Sequence, residues 1–383
     1  MTNTALMQLV DRPPSAMLRG RGSYLWDERG TRYLDFVQGW AVNCLGHSPQ
    51  LIKSAIEAQL ERVINVGPAY HNQPALLLAE QLAKTSQLER VFFLCTGAEA
   101  NEGAVKLARK WGQKHKGGAY EVITTGESFH GRTLAMMAAS GKPGFDSLFP
   151  PAVPGFRKVP FGDIEAVTAA LSDATVAVMV EPIQGEAGVV LPPAGYLQAL
   201  RTLCDHRGLL LIADEIQTGI ARTGPLYAHQ ADGVLPDIMT LGKGLGGGLP
   251  LSALLCRDQV ACFEPGDQGG TFAAHALLCA VGLAVLEHVN EPAEVTRRAA
   301  RAALLAQSLG QLAARHGLAL RGRGFLWALV LPEERAKSVR ERAFDNGLLL
   351  NAARPNVLRL MPSLEVSSAE IAEMAELLSR ALS

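Results

Sequence analysis

The chain is 383 residues long, 48% hydrophobic and 19% charged, with a formal net charge of -1. That length suggests two or three domains, and the composition is that of a soluble globular protein. Near-zero net charge argues against a polyanion-binding surface, so no nucleic-acid partner is expected. No apolar run reaches the roughly 18 residues of a membrane span, and no basic-then-apolar leader is visible, so the protein reads as cytoplasmic, without a membrane role.

The first 40 residues carry strand-like pieces, Ser23-Tyr24-Leu25-Trp26 and Arg32-Tyr33-Leu34-Asp35-Phe36, with Asp27, Arg29 and Gly30 between them, which predicts a hairpin. Residues 50 to 62 and 74 to 84 have helical apolar spacing. From about residue 90 the pattern becomes α/β. Short apolar runs at 91–94, 120–124, 176–180, 209–213, 238–241 and 252–256 are separated mostly by amphipathic stretches such as 99–115, 163–171 and 195–206. This alternation predicts a mostly parallel sheet covered on both faces. A long helical stretch follows residue 280 and runs to about 316. The tail, with runs at 326–331, 347–350 and 357–361 and a final helix from about Ser367, reads as α+β. We expect residues 1–50 and 281–383 to form a smaller domain beside a large domain at 51–280.

The six cysteines are scattered and form no CxxC pair, as expected of reduced thiols in a cytosolic core. The nine histidines show no HxxxH or HxxEH spacing, so no metal site is expected.

Two charged residues end apolar strand-like runs: Asp214 after Leu209-Leu210-Leu211-Ile212-Ala213, and Lys243 after Ile238-Met239-Thr240-Leu241-Gly242. The carboxyl ends of parallel strands line the ligand crevice of such a sheet. A lysine and a carboxylate there suit pyridoxal 5'-phosphate, the lysine forming the Schiff base and the carboxylate keeping the pyridinium nitrogen protonated. Glu215 and Lys142 are better placed than this pair to be plain surface charges.

Phe93 to Glu102 takes a strand into a helix. Thr96 followed three residues on by Glu99 is a capping box, with Thr96 as N-cap. The exposed N–H groups, the positive dipole end and the small residues Gly97 and Ala98 make a phosphate seat, although a plain helix start reads the same way. Gly242 to Gly247 fits GxGxxG, with Glu264 about twenty residues on. Gly248, Pro250 and the apolar run Leu251 to Cys256 do not read as the helix a dinucleotide site needs, and Gly244 after Lys243 excludes a Walker loop.

Five segments in order, Thr96 to Glu102, Ser128-Phe129-His130-Gly131-Arg132-Thr133, Glu181-Pro182-Ile183-Gln184-Gly185-Glu186, Asp214 to Gly219 and Leu241 to Gly244, closely resemble the class III aminotransferases. The resemblance runs from about Gly22 to the C-terminus. It implies a fold type I pyridoxal-phosphate transferase and a homodimer. Within the family it points to the branch that moves the ω-amino group of N2-acetyl-L-ornithine to 2-oxoglutarate, giving N-acetyl-L-glutamate 5-semialdehyde and L-glutamate in arginine biosynthesis.

The resemblance also implies residue roles. Gly97 and Ala98 hold the phosphate through their backbone, and Phe129 stacks on the ring. The segment Asp214, Glu215, Ile216, Gln217 lies along the cofactor, with Asp214 at the ring nitrogen and Gln217 near the ring hydroxyl. Lys243 bonds the cofactor, and Thr271 reaches the phosphate of the neighbouring subunit. Arg132 binds a carboxylate of the acylated substrate, and Arg359 binds the α-carboxylate of glutamate. Glu186 pairs with Arg359 when that carboxylate is absent. Arg359, flanked by Val357, Leu358 and Leu360, is expected to be partly buried and paired. The implied reaction is a ping-pong transamination in which Lys243 moves the proton.

The chain departs from the family pattern around Thr271, reading Gly270-Thr271-Phe272-Ala273-Ala274-His275-Ala276. Gly270 replaces a serine that contacts substrate, and Ala273, Ala274 and His275 replace Gly-Gly-Asn. Cys95 and Thr96 stand where Asn and Ser are usual; Thr keeps the cap. The loop keeps open another ω-amine donor, such as succinylornithine, ornithine, 4-aminobutyrate or a polyamine. Other classes in view are an NAD-dependent dehydrogenase, suggested by the glycine run, and a non-enzymatic scaffold, against which Lys243 and Asp214 argue.

Overall fold

The computed structural model describes residues 5–7, 9–13 and 15–383. The start of the expected N-terminal segment, with part of the stretch searched for a leader, lies outside the described residues.

The N-terminal strands β1 Met17–Arg21, β2 Tyr24–Asp27 and β3 Arg32–Asp35 form an antiparallel meander. The predicted hairpin is the β2–β3 pair; β1 is an addition that its exposed, charge-rich sequence hides. The helices Gln50–Leu60 and Gln73–Ser86 follow where the apolar spacing placed them.

The central sheet contains β4 Arg90–Leu94, β5 Glu121–Thr125, β6 Phe156–Val159, β7 Thr175–Val180, β8 Leu210–Asp214, β9 Ile238–Leu241 and β10 Ser252–Cys256. Its spatial order is β4-β10-β9-β8-β7-β5-β6. All neighbours are parallel except β10, which runs antiparallel to both β4 and β9. The strand period of two explains why both faces need cover. On β7 and β8, Ala177, Met179, Leu210 and Ile212 face one core with the helix Gly97–His115, while Val178, Val180 and Leu211, with Leu209 just before β8, face another with Leu200 and Cys204 of the helix Tyr196–Arg207. Four cysteines (Cys44, Cys204, Cys256, Cys279) are buried and none of the six is in a disulfide.

The long helical stretch is two helices, Ala276–Asn290 and Pro292–His316, bent by 71°. Pro292 sets the break: Glu291 before it is extended (φ -62°, ψ 129°), as a residue preceding proline prefers. No single helix among the described residues is long and apolar enough to cross a membrane.

The tail forms a second small sheet, ordered β11-β12-β15-β14, from β11 Ala319–Arg323, β12 Leu326–Val330, β14 Asn351–Arg354 and β15 Val357–Leu360. Strand β13 Leu348–Leu349 instead pairs in parallel with β3, tying the tail to the N-terminal meander. The chain ends in the helix Ser368–Leu382, whose N-cap Ser367 makes a capping box with Glu370.

Candidate active site

Asp214 is the last residue of β8, and it lies opposite Thr240 of the adjacent parallel strand β9. Lys243 follows two residues after β9 ends, so both reach the same carboxyl edge of the sheet. A cavity of about 300 Å³ opens there. Nine of the residues singled out by the sequence line it: Gly97, Ala98, Phe129, Arg132, Glu186, Asp214, Ile216, Gln217 and Lys243. His130, Gly131 and Glu181 line it too. These three were quoted within the sequence motifs without a role. Two larger depressions, of about 910 and 700 Å³, lie over the N-terminal segment and contain neither Asp214 nor Lys243.

At one end of the cavity the helix Gly97–His115 begins. Both halves of the capping box form: Thr96 Oγ1 accepts from Glu99 N at 3.3 Å, and Glu99 Oε2 accepts from Thr96 N at 2.7 Å. The first turn lines the cavity at Gly97 and Ala98, and its free N–H groups and positive dipole end suit an anion. A Cβ at position 97 would lie 2.8 Å from Ile216 Cδ1, so any side chain there displaces Ile216.

Asp214 is nearly fully buried. Its Oδ2 accepts from Asn101 Nδ2 at 2.7 Å and lies 2.8 Å from His130 Nδ1, while Oδ1 accepts from Ile216 N at 3.1 Å. Burial works against a charged His130, but its bond to Asp214 and that carboxylate's charge win and raise its pKa. Glu181 accepts from Phe129 N at 3.0 Å, which fixes the backbone of the Phe129 ring. Burial pushes the Glu181 carboxyl up to about 8, helped by the nearby Asp214 charge and opposed by His130 and Lys243.

Lys243 sits in a single 3-10 turn, Lys243–Gly246, with its own φ at +41°. Burial pushes its amine below the ordinary lysine range, against the pull of Glu186. The glycine run then enters strand β10 without the helix start of a dinucleotide fingerprint.

Arg359 projects from β15, with only 1% of its side chain exposed. Its Nη2 donates to Glu186 Oε1 at 2.7 Å, Nη1 to Gln217 Oε1 at 3.3 Å and Nε to Asn351 Oδ1 at 3.1 Å. Burial would raise the Glu186 carboxyl, but the charge and hydrogen bond of Arg359 hold it below its ordinary range. Arg132 is exposed at the mouth, its guanidinium 5.9 Å from the Phe129 ring centre and 5.7 Å from that of Phe145.

Three expected residues are elsewhere. Glu215 is neither at the cavity nor at the surface. It is 1% exposed and accepts from Ala228 N, His229 N and Thr218 Oγ1, holding the turn Ala228–Asp232 against β8. Nothing local in the sequence marks a turn thirteen residues away as its partner. Lys142, the other expected surface charge, is half-buried, its amine 5.4 Å from the Phe145 ring centre. Gly270 and Thr271 are exposed, outside the cavity of this chain. In the same loop Ala274 holds φ at +53°, a conformation glycine adopts at less cost.

The class III aminotransferase family model matches residues 8–382. The chain belongs to the class III aminotransferases. This aminotransferase is 51% identical over 382 residues to the acetylornithine aminotransferase of Ralstonia nicotianae, covering 98% of this chain and 96% of that one. Its fold superposes on the N-acetylornithine aminotransferase of Stenotrophomonas maltophilia with a TM-score of 0.84, at 34% identity, covering 97% of this chain and 96% of that one. It also matches an ornithine aminotransferase from Toxoplasma gondii whose structure has PLP at partial occupancy in the active site (TM-score 0.90, 33% identity, covering 97% and 91%).

The cavity of this aminotransferase fits the cofactor of its family. Pyridoxal 5'-phosphate needs an anion seat, a carboxylate for its ring nitrogen, a donor for its ring hydroxyl and an amine for its aldehyde. The helix start at Gly97, Asp214 and Lys243 fit three of these. Gln217 fits the fourth: among the described residues its Nε2 is buried without a hydrogen-bond partner, and a buried unpaired donor is costly unless a ligand completes it. The enzyme is a pyridoxal-phosphate-dependent transaminase.

Proposed function

We propose that this aminotransferase moves the ω-amino group of N2-acetyl-L-ornithine to 2-oxoglutarate, giving N-acetyl-L-glutamate 5-semialdehyde and L-glutamate. The observation that carries the reading is the pairing of Arg359 with Glu186 in the cavity that holds Lys243, with Arg132 at its mouth. Masked by Glu186, Arg359 presents no free charge to the uncharged carbon chain beside an ω-amine. Released from Glu186, its planar fork takes the α-carboxylate of glutamate or 2-oxoglutarate. Arg132 is placed for the carboxylate of an acylated amino acid.

When bound, the cofactor supplies an electron sink for the carbanion that develops at the donor's reacting carbon. The chain's own residues do the rest. The lowered pKa of Lys243 leaves more of its amine neutral, as a nucleophile and as the base that moves the proton at that carbon. Asp214 keeps a proton on the ring nitrogen. Gly97 and Ala98 hold the phosphate through the helix start, Phe129 covers a ring face and Gln217 Nε2 donates to the ring hydroxyl.

The reading includes a cytoplasmic homodimer in which Thr271, exposed here beside the 58% exposed Phe272, reaches the phosphate of the other subunit. It also includes a small domain of residues 1–50 and 281–383 beside a large domain of 51–280, a division supported by the β13–β3 pairing. A second reading keeps the chemistry and changes the donor to succinylornithine, ornithine or 4-aminobutyrate. The altered loop from Gly270 to Ala276 favours it. Steady-state kcat/KM for each donor with 2-oxoglutarate decides between them. Acetylornithine is expected to lead; a higher value for 4-aminobutyrate or free ornithine would favour the second reading.

A further inference from the structure

The orientation of Asp214 depends on two residues outside the cavity, Asn101 and Thr240, and on His130 at its wall. Asn101, on the helix Gly97–His115, is 0% exposed. Its Nδ2 donates to Asp214 Oδ2 at 2.7 Å and to the His130 carbonyl at 2.8 Å, and its Oδ1 accepts from Thr240 Oγ1 at 2.7 Å. Both amide hydrogens are therefore used. The Asp214 carboxylate and the His130 carbonyl fix which end of the amide is which, because a flipped amide would set its oxygen against both acceptors; the Thr240 hydroxyl then donates to the oxygen.

His130 is the second donor to the same Asp214 oxygen. Its backbone N donates to Ser140 Oγ at 2.8 Å, and that hydroxyl donates to Met136 O at 2.7 Å. One oxygen of Asp214 is thus saturated by side chains from a helix and a loop. The other takes only the Ile216 amide among the described residues, on a side chain that lines the cavity.

We propose that Asn101, oriented by Thr240 and assisted by His130, is a positioning residue for transamination: it saturates Asp214 Oδ2 and leaves a fixed Oδ1 for the ring nitrogen of the cofactor. The proposal rests on the reading that Asp214 meets that nitrogen. Donors locked in place need no reorganisation during reaction. The titratable groups around Asp214 are His130, Glu181 and Lys243.

The test uses the cofactor-loaded enzyme and the variants Asn101→Leu, Thr240→Val, Thr240→Ser and Asp214→Asn. Asn101→Leu is expected to lower kcat by about 10²-fold, the loss seen when one preorganised donor is removed. KM for donor and for 2-oxoglutarate should stay within about threefold, and the Kd of pyridoxal 5'-phosphate should rise about tenfold, as for loss of an outer-shell partner. The pH at which the visible band of the loaded enzyme titrates should also move. Thr240→Val should act in the same direction at about tenfold in kcat, and Thr240→Ser, which restores the hydroxyl, should return to near wild type.

If Asp214→Asn is crippled but folded Asn101→Leu and Thr240→Val keep wild-type kcat, cofactor Kd and titration and lose only melting temperature, the positioning role is overturned. If Asp214→Asn itself is fully active, the ring-nitrogen reading falls and the proposal with it. Should Asn101→Leu fail to fold, Thr240→Val and its Thr240→Ser rescue decide the question alone.

Discussion

Arg359 Nη2 donates to Glu186 Oε1 at 2.7 Å, which joins a strand of the tail sheet to the loop after β7. The partners are unequal: the arginine side chain is 1% exposed and the glutamate 27%. The glutamate therefore has water on one side and is the partner free to leave. Glu186→Gln removes the charge that masks Arg359. Half-reaction kcat/KM should then rise for glutamate and fall for acetylornithine, each by about tenfold, which corresponds to about 1.4 kcal/mol. Single-turnover kinetics with each donor checks this; an unchanged ratio would contradict the masking role.

Position 97 has no room for a side chain. Gly97→Ala places a Cβ against Ile216 and displaces that side chain, which lines the same cavity. We expect weaker cofactor binding, read by absorbance titration of the stripped enzyme, with little change in secondary structure by circular dichroism. Thr96→Ala removes the cap and should cost about 1 kcal/mol of stability, measured by denaturant titration.

Glu181 sets a pH dependence. Its folded pKa, about 8, lies above the ordinary carboxyl value of 4.5, so the folded enzyme holds a proton that the unfolded chain releases. A group raised in this way contributes its stability below the unfolded pKa and loses it as pH rises through the folded one. The window is pH 4.5 to about 8. In the cofactor-stripped enzyme, Glu181→Gln, which keeps the shape without the ionisation, should gain melting temperature relative to wild type as pH rises across that window. Parallel curves for the two proteins would contradict this.

Lys243 is the only cavity residue proposed to bond the cofactor. Borohydride reduction of the loaded wild-type enzyme should fix the cofactor to the peptide containing Lys243, seen by mass spectrometry. Lys243→Ala should give no adduct and lose at least about 10⁴-fold in kcat, the upper range for an acid–base group.

How much of this was legible in the chain depends on how local each signal is. Asp214 and Lys243 each end an apolar run, so alternating β and α patterns alone place them on one edge of a sheet. Arg359 stands among apolar neighbours and had to be paired. By contrast, Asn101 meets Asp214 across 113 positions and Thr240 across 139, and no periodicity reports such contacts. Strand β6 escaped notice because Arg157 and Lys158 interrupt its apolar residues at the sheet edge, where solvent admits them. Glu215, expected at the surface, is buried because its backbone donors belong to a turn that only the folded chain brings near.

The central claim is ω-amine transfer from acetylornithine through Lys243, and the most direct measurement is a stopped-flow panel of amino donors mixed with the loaded enzyme without 2-oxoglutarate. The account predicts that acetylornithine bleaches the visible absorbance fastest, that 2-oxoglutarate then restores it, and that Lys243→Ala shows neither phase. Acetylornithine among the slowest donors would contradict it.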